Sequence, residues 1–355
     1  MAMNYAQKYA PMVDERFSIG ALTAEAVNQN YDWAGVQTVR VYQIPTAPMC
    51  DYQRDGASRY GKAEELGNEI QEMRVKRDRA FTFSIDRGNH GETEMSSDAG
   101  AALRRQLDEV VIPEMDRYRL QAMAAGAGAY GKGNITASKA YEALLAADEI
   151  MAGKGVPPFG RIAFVSPSFY KYIKLDNAFI KQGDMAQQMI QSGAIGMVDN
   201  MRIVRVPGGY LPTGTEFIIV HPDAVVAPQK LADYKIHDNP PGINGWLVEG
   251  RVCYDAFVSA AKRDGIYLHQ NALGTLAVNV KPGGAGLTRI ETAGMGGGQL
   301  VYAISVPMPA FEDNVSSWNA LPPDGVIPAN QGDQVVVVAA VDDKAMLAQV
   351  VTAEN

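Results

Sequence analysis

The stretch Val36–Asp86 governs the interpretation of this chain; it reads VQTVRVYQIPTAPMCDYQRDGASRYGKAEELGNEIQEMRVKRDRAFTFSID. Its two ends, Val36–Ile44 and Arg74–Asp86, alternate apolar and polar residues with a period of two, which predicts two strands that each bury one face. The segment Pro45–Met73 between them holds few aliphatic side chains. Insertions beyond about 12–15 residues are uncommon in a compact domain unless they form a lid or a binding loop. We therefore predict that this stretch is an arm that lies on another molecule.

The overall composition is typical of a soluble globular protein. Of the 355 residues, 47% are hydrophobic and 20% are charged, and the length is sufficient for two domains. The formal net charge of -8 argues against binding of free nucleic acid, because proteins that bind nucleic acid are expected to carry a basic domain. We expect neither a secretion signal nor a membrane span, since no stretch reaches about 18 apolar residues.

The last part of the chain differs from the rest in composition. Residues 275–355 contain three Lys or Arg residues against eight Asp or Glu residues, and they are rich in Gly, Val and Ala. Several short β-branched runs predict strands, and the last two form a hairpin that turns at Asp342–Lys344. We expect residues 271–355 to form an appended small β-domain, Ig-like or a barrel.

The strongest helical pattern lies just after the arm. Apolar residues recur every four positions from Ala99, which predicts one amphipathic helix over Ser97–Ala125. They are Ala99, Leu103, Leu107, Val111 and Met115. Pro113 stands in the middle, where it removes one backbone donor and is expected to bend the axis. A helix of this length is a structural backbone more often than a site.

The region 136–270 has a mixed pattern. A helix is predicted over Thr136–Gly155, and strands are predicted over Arg161–Ser166, Met201–Pro207 and Glu216–Pro222. Further alternating runs follow before Gln270. The fold class that these patterns predict is α+β.

One glycine-rich stretch offers the sharpest alternative. GAGAYGKG, from Gly126 to Gly133, contains G-x-G-x-x-G and nearly matches the P-loop pattern. A phosphate cradle needs its glycines between a strand and a following helix, whereas here a helix precedes them. Gly133 also follows Lys132 where a Ser or Thr would hold magnesium. A flexible helix end and linker is the preferred interpretation.

Other candidate chemistry is sparse. The four histidines, at positions 90, 221, 237 and 269, are widely separated and show no metal-ligand pairing. Cys50 and Cys253 form neither a disulfide framework nor a metal cluster, and Glu92 with Glu94 reads as a solvated loop. We predict no catalytic residue, no cofactor and no metal.

Several segments resemble the major capsid proteins of tailed bacteriophages, the family with the Hong Kong 97 type of shell fold. The segments are NYAQKYAPMVDERF, FTFSIDRGN, RRQLDEVVIPEMDRYR, GRIAFVSPSFYKYIK and KIHDNPPGINGWLVEGRVCYDAFV. The resemblance covers residues 1–270 in the order that the family uses. The last 85 residues have no counterpart in the minimal fold.

The resemblance implies a division of the chain into six parts. They are an N-terminal arm (1–35), an extended β-hairpin loop (36–86), the spine helix with part of the peripheral domain (87–135), the axial domain (136–222), further peripheral or axial strands (223–270) and the appended β-domain (271–355). In some members a lysine on the extended loop is joined to an asparagine of a neighbour. Lys62 and Lys76 lie on that segment here, but neither matches the position.

The implied function is self-assembly into the icosahedral head shell of a tailed double-stranded DNA bacteriophage, without catalysis. The charged residues expected to contact a neighbouring subunit are Arg54, Arg59, Lys62, Glu64, Glu65, Arg74, Arg77 and Arg79. Hexamers and pentamers of the chain, scaffolding and portal proteins, and packaged double-stranded DNA are the expected partners, and no membrane is involved. The location would be the virion, assembled in the cytoplasm of the bacterial host.

Three alternatives stay open from the sequence alone. An encapsulin-like compartment would use the same fold to enclose a protein cargo. A nucleotide-binding enzyme would use the Gly126–Lys132 loop. A carbohydrate-binding or adhesive module would be confined to residues 271–355.

Overall fold

The computed structural model describes residues 22–28, 32–34, 38–43, 49–55, 59–62, 65, 69–87, 99–180, 197–292 and 299–354. In this part of the chain the α-helices are α1 Ala99–Gln106, α2 Ile112–Ala125, α3 Ala140–Gly153, α4 Pro167–Leu175 and α5 Asn177–Ile180. The strands as far as the end of the central region are β1 Asp32–Ala34, β2 Thr38–Gln43, β3 Glu69–Arg74, β4 Arg77–Asp86, β5 Ala129–Lys132, β6 Ile162–Val165, β7 Met197–Val198, β8 Met201–Arg205, β9 Thr215–Val220, β10 Val225–Val226, β11 Gln229–Asp238, β12 Gly245–Tyr254, β13 Phe257–Val258 and β14 Ile266–Gln270. The strands after it are β15 Gly274–Thr275, β16 Val278–Gly284, β17 Leu287–Thr292, β18 Gln299–Ile304, β19 Asn319–Ala320, β20 Val326–Pro328, β21 Gln334–Val341 and β22 Lys344–Thr352. None of the described helices is long and apolar enough to cross a membrane.

The long helix predicted over Ser97–Ala125 is confirmed from Ala99 onward, with one irregular turn. A π turn at Leu107–Val111 joins α1 to α2. Pro113 stands at the start of α2, where its ring would clash with the carbonyl four residues earlier in a regular helix. The wider turn just before it accommodates the ring, so the proline is tolerated inside a helix that is otherwise continuous.

The N-terminal segment is fastened to this helix by one buried carboxylate. Asp116 accepts hydrogen bonds from the backbone N–H of Leu22 (2.9 Å) and of Thr23 (3.2 Å), and from the Thr23 hydroxyl (2.6 Å). A 3₁₀ turn at Ala24–Ala26 follows. Within this turn, Glu25 forms an ion pair with Arg202 of β8.

A six-stranded mixed sheet forms the centre of the region predicted to be the axial domain. Its strand order is β5-β14-β9-β6-β8-β7, and the pairs β6–β8 and β5–β14 are parallel. Helices α3 and α4 cover one face through Leu144, Met151 and Phe169, which pack on Phe217 and Ile219. The strands β6 and β9 are buried on both faces, which explains their nearly continuous apolar runs.

The predicted strand Arg74–Asp86 is in fact two strands in two different sheets. β3 ends at Arg74 and pairs with β2, whereas β4 starts at Arg77 and pairs along all ten residues with β12. Val75 is buried between them, and the N–H of Lys76 donates to the Asp255 carboxylate at 2.9 Å. The chain therefore leaves the arm at this point and enters a three-stranded sheet of order β11-β12-β4.

Residues from Gly274 onward form two packed sheets. One has the order β15-β22-β21-β18-β19 and the other β16-β17-β20, and Ile290 and Ile327 of the second lie in one core with Val335 and Leu347 of the first. The predicted hairpin is confirmed: β21 and β22 are joined by Asp342 and Asp343, which both have positive φ. The expected small β-domain is thus a sandwich of two sheets.

Candidate inter-subunit surface

The root of the arm is a small sheet with its own core. β1, β2 and β3 pair antiparallel, so that Val39 lies opposite Met73. Both side chains are buried, and they pack with Val75 on Val226 and Phe257 of the adjoining β10–β13 pair. Burying a side chain of this size is worth about 1.5–3 kcal/mol. The hairpin is therefore fixed to its own subunit at the base.

An ion pair crosses the hairpin next to this core. Arg40 on β2 lies directly opposite Glu72 on β3, and its guanidinium is 2.7 Å from the Glu72 carboxylate. Both side chains are about half exposed, so the pair is worth less than about 1 kcal/mol. The pair therefore favours the observed register of the two strands and adds little to the stability of the hairpin.

The described residues beyond the hairpin contain a local turn. The N–H of Gln53 donates to the carbonyl of Arg59 at 3.0 Å, and the Cys50 thiol lies 3.1 Å from the carbonyl of Tyr60. The rings of Tyr52 and Tyr60 meet edge to face, with centroids 5.1 Å apart. These contacts join positions up to ten residues apart, so the segment has a structure of its own.

Large apolar side chains of this turn are open to solvent. Met49 is 100% exposed, Tyr60 is 85% exposed and Tyr52 is 52% exposed. Clustered exposed apolar side chains mark interaction surfaces in soluble proteins. The contact residues predicted from the sequence in this loop were all charged. Two tyrosines and a methionine within an otherwise polar loop are the sequence signal that could have identified these three exposed apolar residues as well.

The predicted contact residues fall into two groups. Arg54, Arg59, Lys62 and Glu65 are exposed in the arm beyond the hairpin strands. Glu64 lies outside the described residues. Arg74, Arg77 and Arg79 lie instead at the root, on β3 and β4. The structure does not gather the seven described residues into one patch.

Two of the root arginines contact their own chain. Arg79 forms an ion pair with Glu114 of α2 at 2.8 Å, and Glu114 also accepts from the Tyr254 hydroxyl at 3.1 Å. Arg77 lies over the ring of Tyr118, with its guanidinium carbon 4.6 Å from the ring centroid. These contacts tie β4 to the long helix, a role that the sequence reasoning did not assign.

Asp255 connects the root, the long helix and β12. Its carboxylate accepts from the Tyr118 hydroxyl at 2.7 Å and from the N–H groups of Lys76 (2.9 Å) and Ala256 (2.8 Å). Burial raises the pKa of Asp255, although these three donors oppose the shift. Burial likewise raises the pKa of Tyr118 well above its usual value, and the adjacent Asp255 raises it further.

The glycine-rich stretch is not a flexible linker. Gly126 ends α2, and Ala129–Lys132 forms β5, which pairs parallel with β14. A side chain at Gly126 would meet Val258, and one at Gly131 would meet the Tyr267 hydroxyl. These two glycines thus permit close packing, and no helix begins directly after the strand. Lys132 forms an ion pair with Glu312 at 2.9 Å, which joins the six-stranded sheet to the C-terminal sandwich.

The described histidines make local contacts. His237 lies 3.2 Å from Glu249, and His269 lies 3.2 Å from the carbonyl of Gly133 and stacks on Phe217. Burial lowers the pKa of His269. Among the residues that the structure describes, no group of three His, Cys, Asp or Glu side chains could hold a metal ion.

No protein-family model and no curated protein sequence matches the chain. Solved structures do. A chain from the capsid structure of the cyanophage P-SCSP1u matches with a TM-score of 0.57 and 13% identity, over 72% of this chain and 88% of that chain. A chain from the mycobacteriophage Che8 matches with a TM-score of 0.54 and 16% identity, over 69% and 89%.

A third match comes from the asymmetric unit of the mature capsid of bacteriophage PhiM1. Its TM-score is 0.51 with 13% identity, over 68% of this chain and 83% of that chain. The anchored arm, the long helix, the peripheral three-stranded sheet and the central mixed sheet are thus joined in a known arrangement. The chain has the Hong Kong 97-type fold of tailed-bacteriophage capsid subunits.

Proposed function

We propose that this chain is the major capsid protein of a tailed double-stranded DNA bacteriophage and that it assembles with copies of itself into the icosahedral head shell. The observation that carries the proposal is the arm within this capsid fold. Its base is anchored by buried Val39 and Met73, whereas Met49, Tyr52 and Tyr60 are exposed beyond it. An apolar turn held out on a fixed base is suited to cover a neighbouring subunit.

The geometry of such a contact would account for the formation of closed rings of subunits. The arm of one subunit and the surface that receives it are different patches, so the contact is head to tail. Repeated contacts of that kind form a ring when the rotation between subunits closes, as hexamers and pentamers require. Each contact can be modest, because every subunit makes several.

The proposed partners follow from this role. Scaffolding and portal proteins would take part in assembly in the cytoplasm of the bacterial host, and the mature location would be the virion. Packaged double-stranded DNA would lie inside the shell without sequence-specific binding, and the net charge of -8 suits a wall that does not hold the DNA tightly. The role is structural, and we assign no catalytic step to any residue.

Electron microscopy and light scattering of the purified protein, alone and with a coexpressed scaffolding protein, test the proposal. Closed shells of uniform size are the expected result. A small monodisperse species under all conditions would refute the proposal. Shells that purify with a protein cargo and never contain DNA would favour the encapsulin-like alternative instead.

A further inference from the structure

A cleft of about 330 Å³ lies between the root of the arm and the C-terminal sandwich. Consecutive residues 76–79 line one side, and strand β16 with the end of β17 lines the other. Tyr118 of α2 also lines the cleft. The C-terminal sandwich, which has no counterpart in the minimal fold, thus supplies one wall.

Cations outnumber anions in this cleft. Its lining includes Lys76, Arg77, Arg79 and Lys281, against the carboxylates of Asp78 and Glu291. Both carboxylates already have partners, because Asp78 pairs with Arg251 at 2.5 Å and Glu291 pairs with Lys281 at 2.8 Å. Of the cations, Arg79 is in turn paired with Glu114 of α2 at 2.8 Å. Within a chain of net charge -8, the cleft is a local positive site.

Two of the basic side chains, Lys76 and Arg77, lie on the arm side of the cleft. Burial lowers the pKa of Lys76, although the nearby Asp255 and Glu291 carboxylates act in the opposite direction. Arg77 lies over the Tyr118 ring, which orients its guanidinium without neutralising it. A carboxylate brought between these two side chains would offset part of the cost of burying the ammonium group.

The two walls also present strand edges. In the described part of the chain β4 and β16 are each the outermost strand of their sheets. Outermost strands leave one row of N–H and C=O groups available to an added extended segment. The cleft therefore combines basic side chains with backbone able to hold an extended peptide.

We propose that this cleft receives the carboxylates of an acidic segment from a second copy of the chain, residues 63–72. This segment reads AEELGNEIQE and holds four Glu residues and no Lys or Arg. Glu69 lies in β3 of the anchored hairpin and Glu72 is paired with Arg40 there, whereas Glu65 is exposed. Glu65 and its sequence neighbour Glu64 are therefore the carboxylates that we assign to the contact. The inference rests on the proposed function and names the receiving surface.

A second copy fits better than the arm of the same chain. Strand β3 separates Glu65 from Lys76, and its six residues span roughly 17 Å at the usual rise per residue. The strand is held in the anchored hairpin, which keeps the end of β3 nearest to Glu65 in sequence about one strand length from Lys76. The contact would run from the arm of one subunit to the root of the next.

Charge reversal tests the pairing. We expect Arg77→Glu, and separately the double variant Glu64→Lys with Glu65→Lys, to lower the yield of closed shells by about tenfold or more, since like charges face each other in either variant. The two changes combined in one chain should restore assembly. Lys262→Glu, which reverses an exposed cation outside the cleft, is the matched control and should assemble as the wild type does.

The outcomes separate the inference from the proposed function. If the wild type forms shells and Arg77→Glu forms them equally well, the inference is wrong and the proposed function stands. If the wild type forms no shells, the proposed function fails first. Circular dichroism of each variant establishes that the subunit is folded.

A second measurement does not depend on any variant. Carbodiimide links a carboxylate to a lysine amine that touches it, so treated wild-type shells should contain Glu64 or Glu65 joined to Lys76. Shells assembled from a mixture of ¹⁵N-labelled and unlabelled subunits show by mass spectrometry whether the link crosses between copies. Failure to find this mixed-isotope peptide while other intersubunit links are detected would overturn the inference.

Discussion

Asp255 is a single residue on which three elements depend. The residue is 3% exposed, and its carboxylate accepts hydrogen bonds from the Tyr118 hydroxyl of α2, the N–H of Lys76 just before β4 and the N–H of Ala256. Hydrogen bonds to a charged acceptor are worth about 1.5–3 kcal/mol each, but burying the charge opposes this gain. The raised pKa of Asp255 shows that burial outweighs the donors.

That balance predicts a pH dependence. The folded pKa of Asp255 is raised above the ordinary 3.8, so its contribution to the free energy of unfolding is complete below about 3.8 and is lost as the pH rises through the folded value. Asp255→Asn has no such titration. We therefore expect the stability of the variant relative to the wild type to increase as the pH is raised above about 4, measured by urea unfolding of dissociated subunits. A constant difference would contradict the prediction.

Arg161 is a second residue whose replacement has a predictable effect on the free energy of unfolding. Its side chain is fully buried, and it donates to the carbonyls of Pro157 (2.8 Å) and Val156 (2.6 Å) as well as to the Asp148 carboxylate. Arg161→Met keeps an unbranched apolar side chain but removes the guanidinium, which leaves those acceptors without its donors. We expect a loss of about 3–5 kcal/mol in the free energy of unfolding, measured by chemical denaturation. Arg105→Met, at an exposed position of α1, should change stability by less than about 0.5 kcal/mol.

At the scale of elements, the β21–β22 hairpin shows how a turn can be tested. Asp342 and Asp343 have φ of 49° and 60°, the conformation that suits Asn-Gly and penalises a Cβ branch. We expect Asp343→Gly to raise the melting temperature, and Asp343→Val to lower stability by about 1–2 kcal/mol. Both variants keep the backbone bond from Val315 N–H to the carbonyl of residue 343. An equal effect of the two would show that backbone conformation does not limit this turn.

The spacing of apolar residues predicted those helices and strands that bury side chains at regular intervals. The long helix, β6, β8, β9 and the β21–β22 hairpin all lie where apolar spacing or turn residues placed them. The partner of β4 could not be predicted, because its pairing with β12 joins positions more than 150 residues apart. Local glycines at Gly126–Lys132 indicated a linker, but packing on Val258 and Tyr267 makes part of this segment a strand.

The candidate inter-subunit surface could be predicted from the sequence only in part. A charged loop too long and too polar to pack on its own chain indicated an arm, and Arg54, Arg59, Lys62 and Glu65 are exposed on it. Sequence alone does not separate a charge that faces solvent from one engaged within the chain. Arg79, which pairs with Glu114, shows the difference. The contacts of these residues with another subunit remain predictions.

At the scale of the whole molecule, the way the arm is anchored implies that the subunit can fold without the part of the arm that is proposed to act in assembly. The core at its base uses Val39, Met73 and Val75, none of which lies between Pro45 and Asn68. The described residues within that range hold mainly local contacts, such as those joining Cys50 to Tyr60 and Gln53 to Arg59. The subunit therefore keeps its own core contacts if this segment is removed.

We expect a variant in which Asn-Gly replaces Pro45–Asn68 to fold normally and to form no closed shells. Ile44, Asn and Gly then form a three-residue turn, with Gly at its last position, between the paired residues Gln43 and Glu69. The register of β2 and β3 is kept, so the melting temperature of the dissociated subunit should stay within a few degrees of the wild-type value. Electron microscopy should show free subunits or open fragments, because the exposed Met49, Tyr52 and Tyr60 are gone. As a control, Met49→Ser with Tyr60→Ser keeps the arm length and should weaken assembly less than the deletion does. Normal shells from the deletion variant would show that the arm is dispensable for closure.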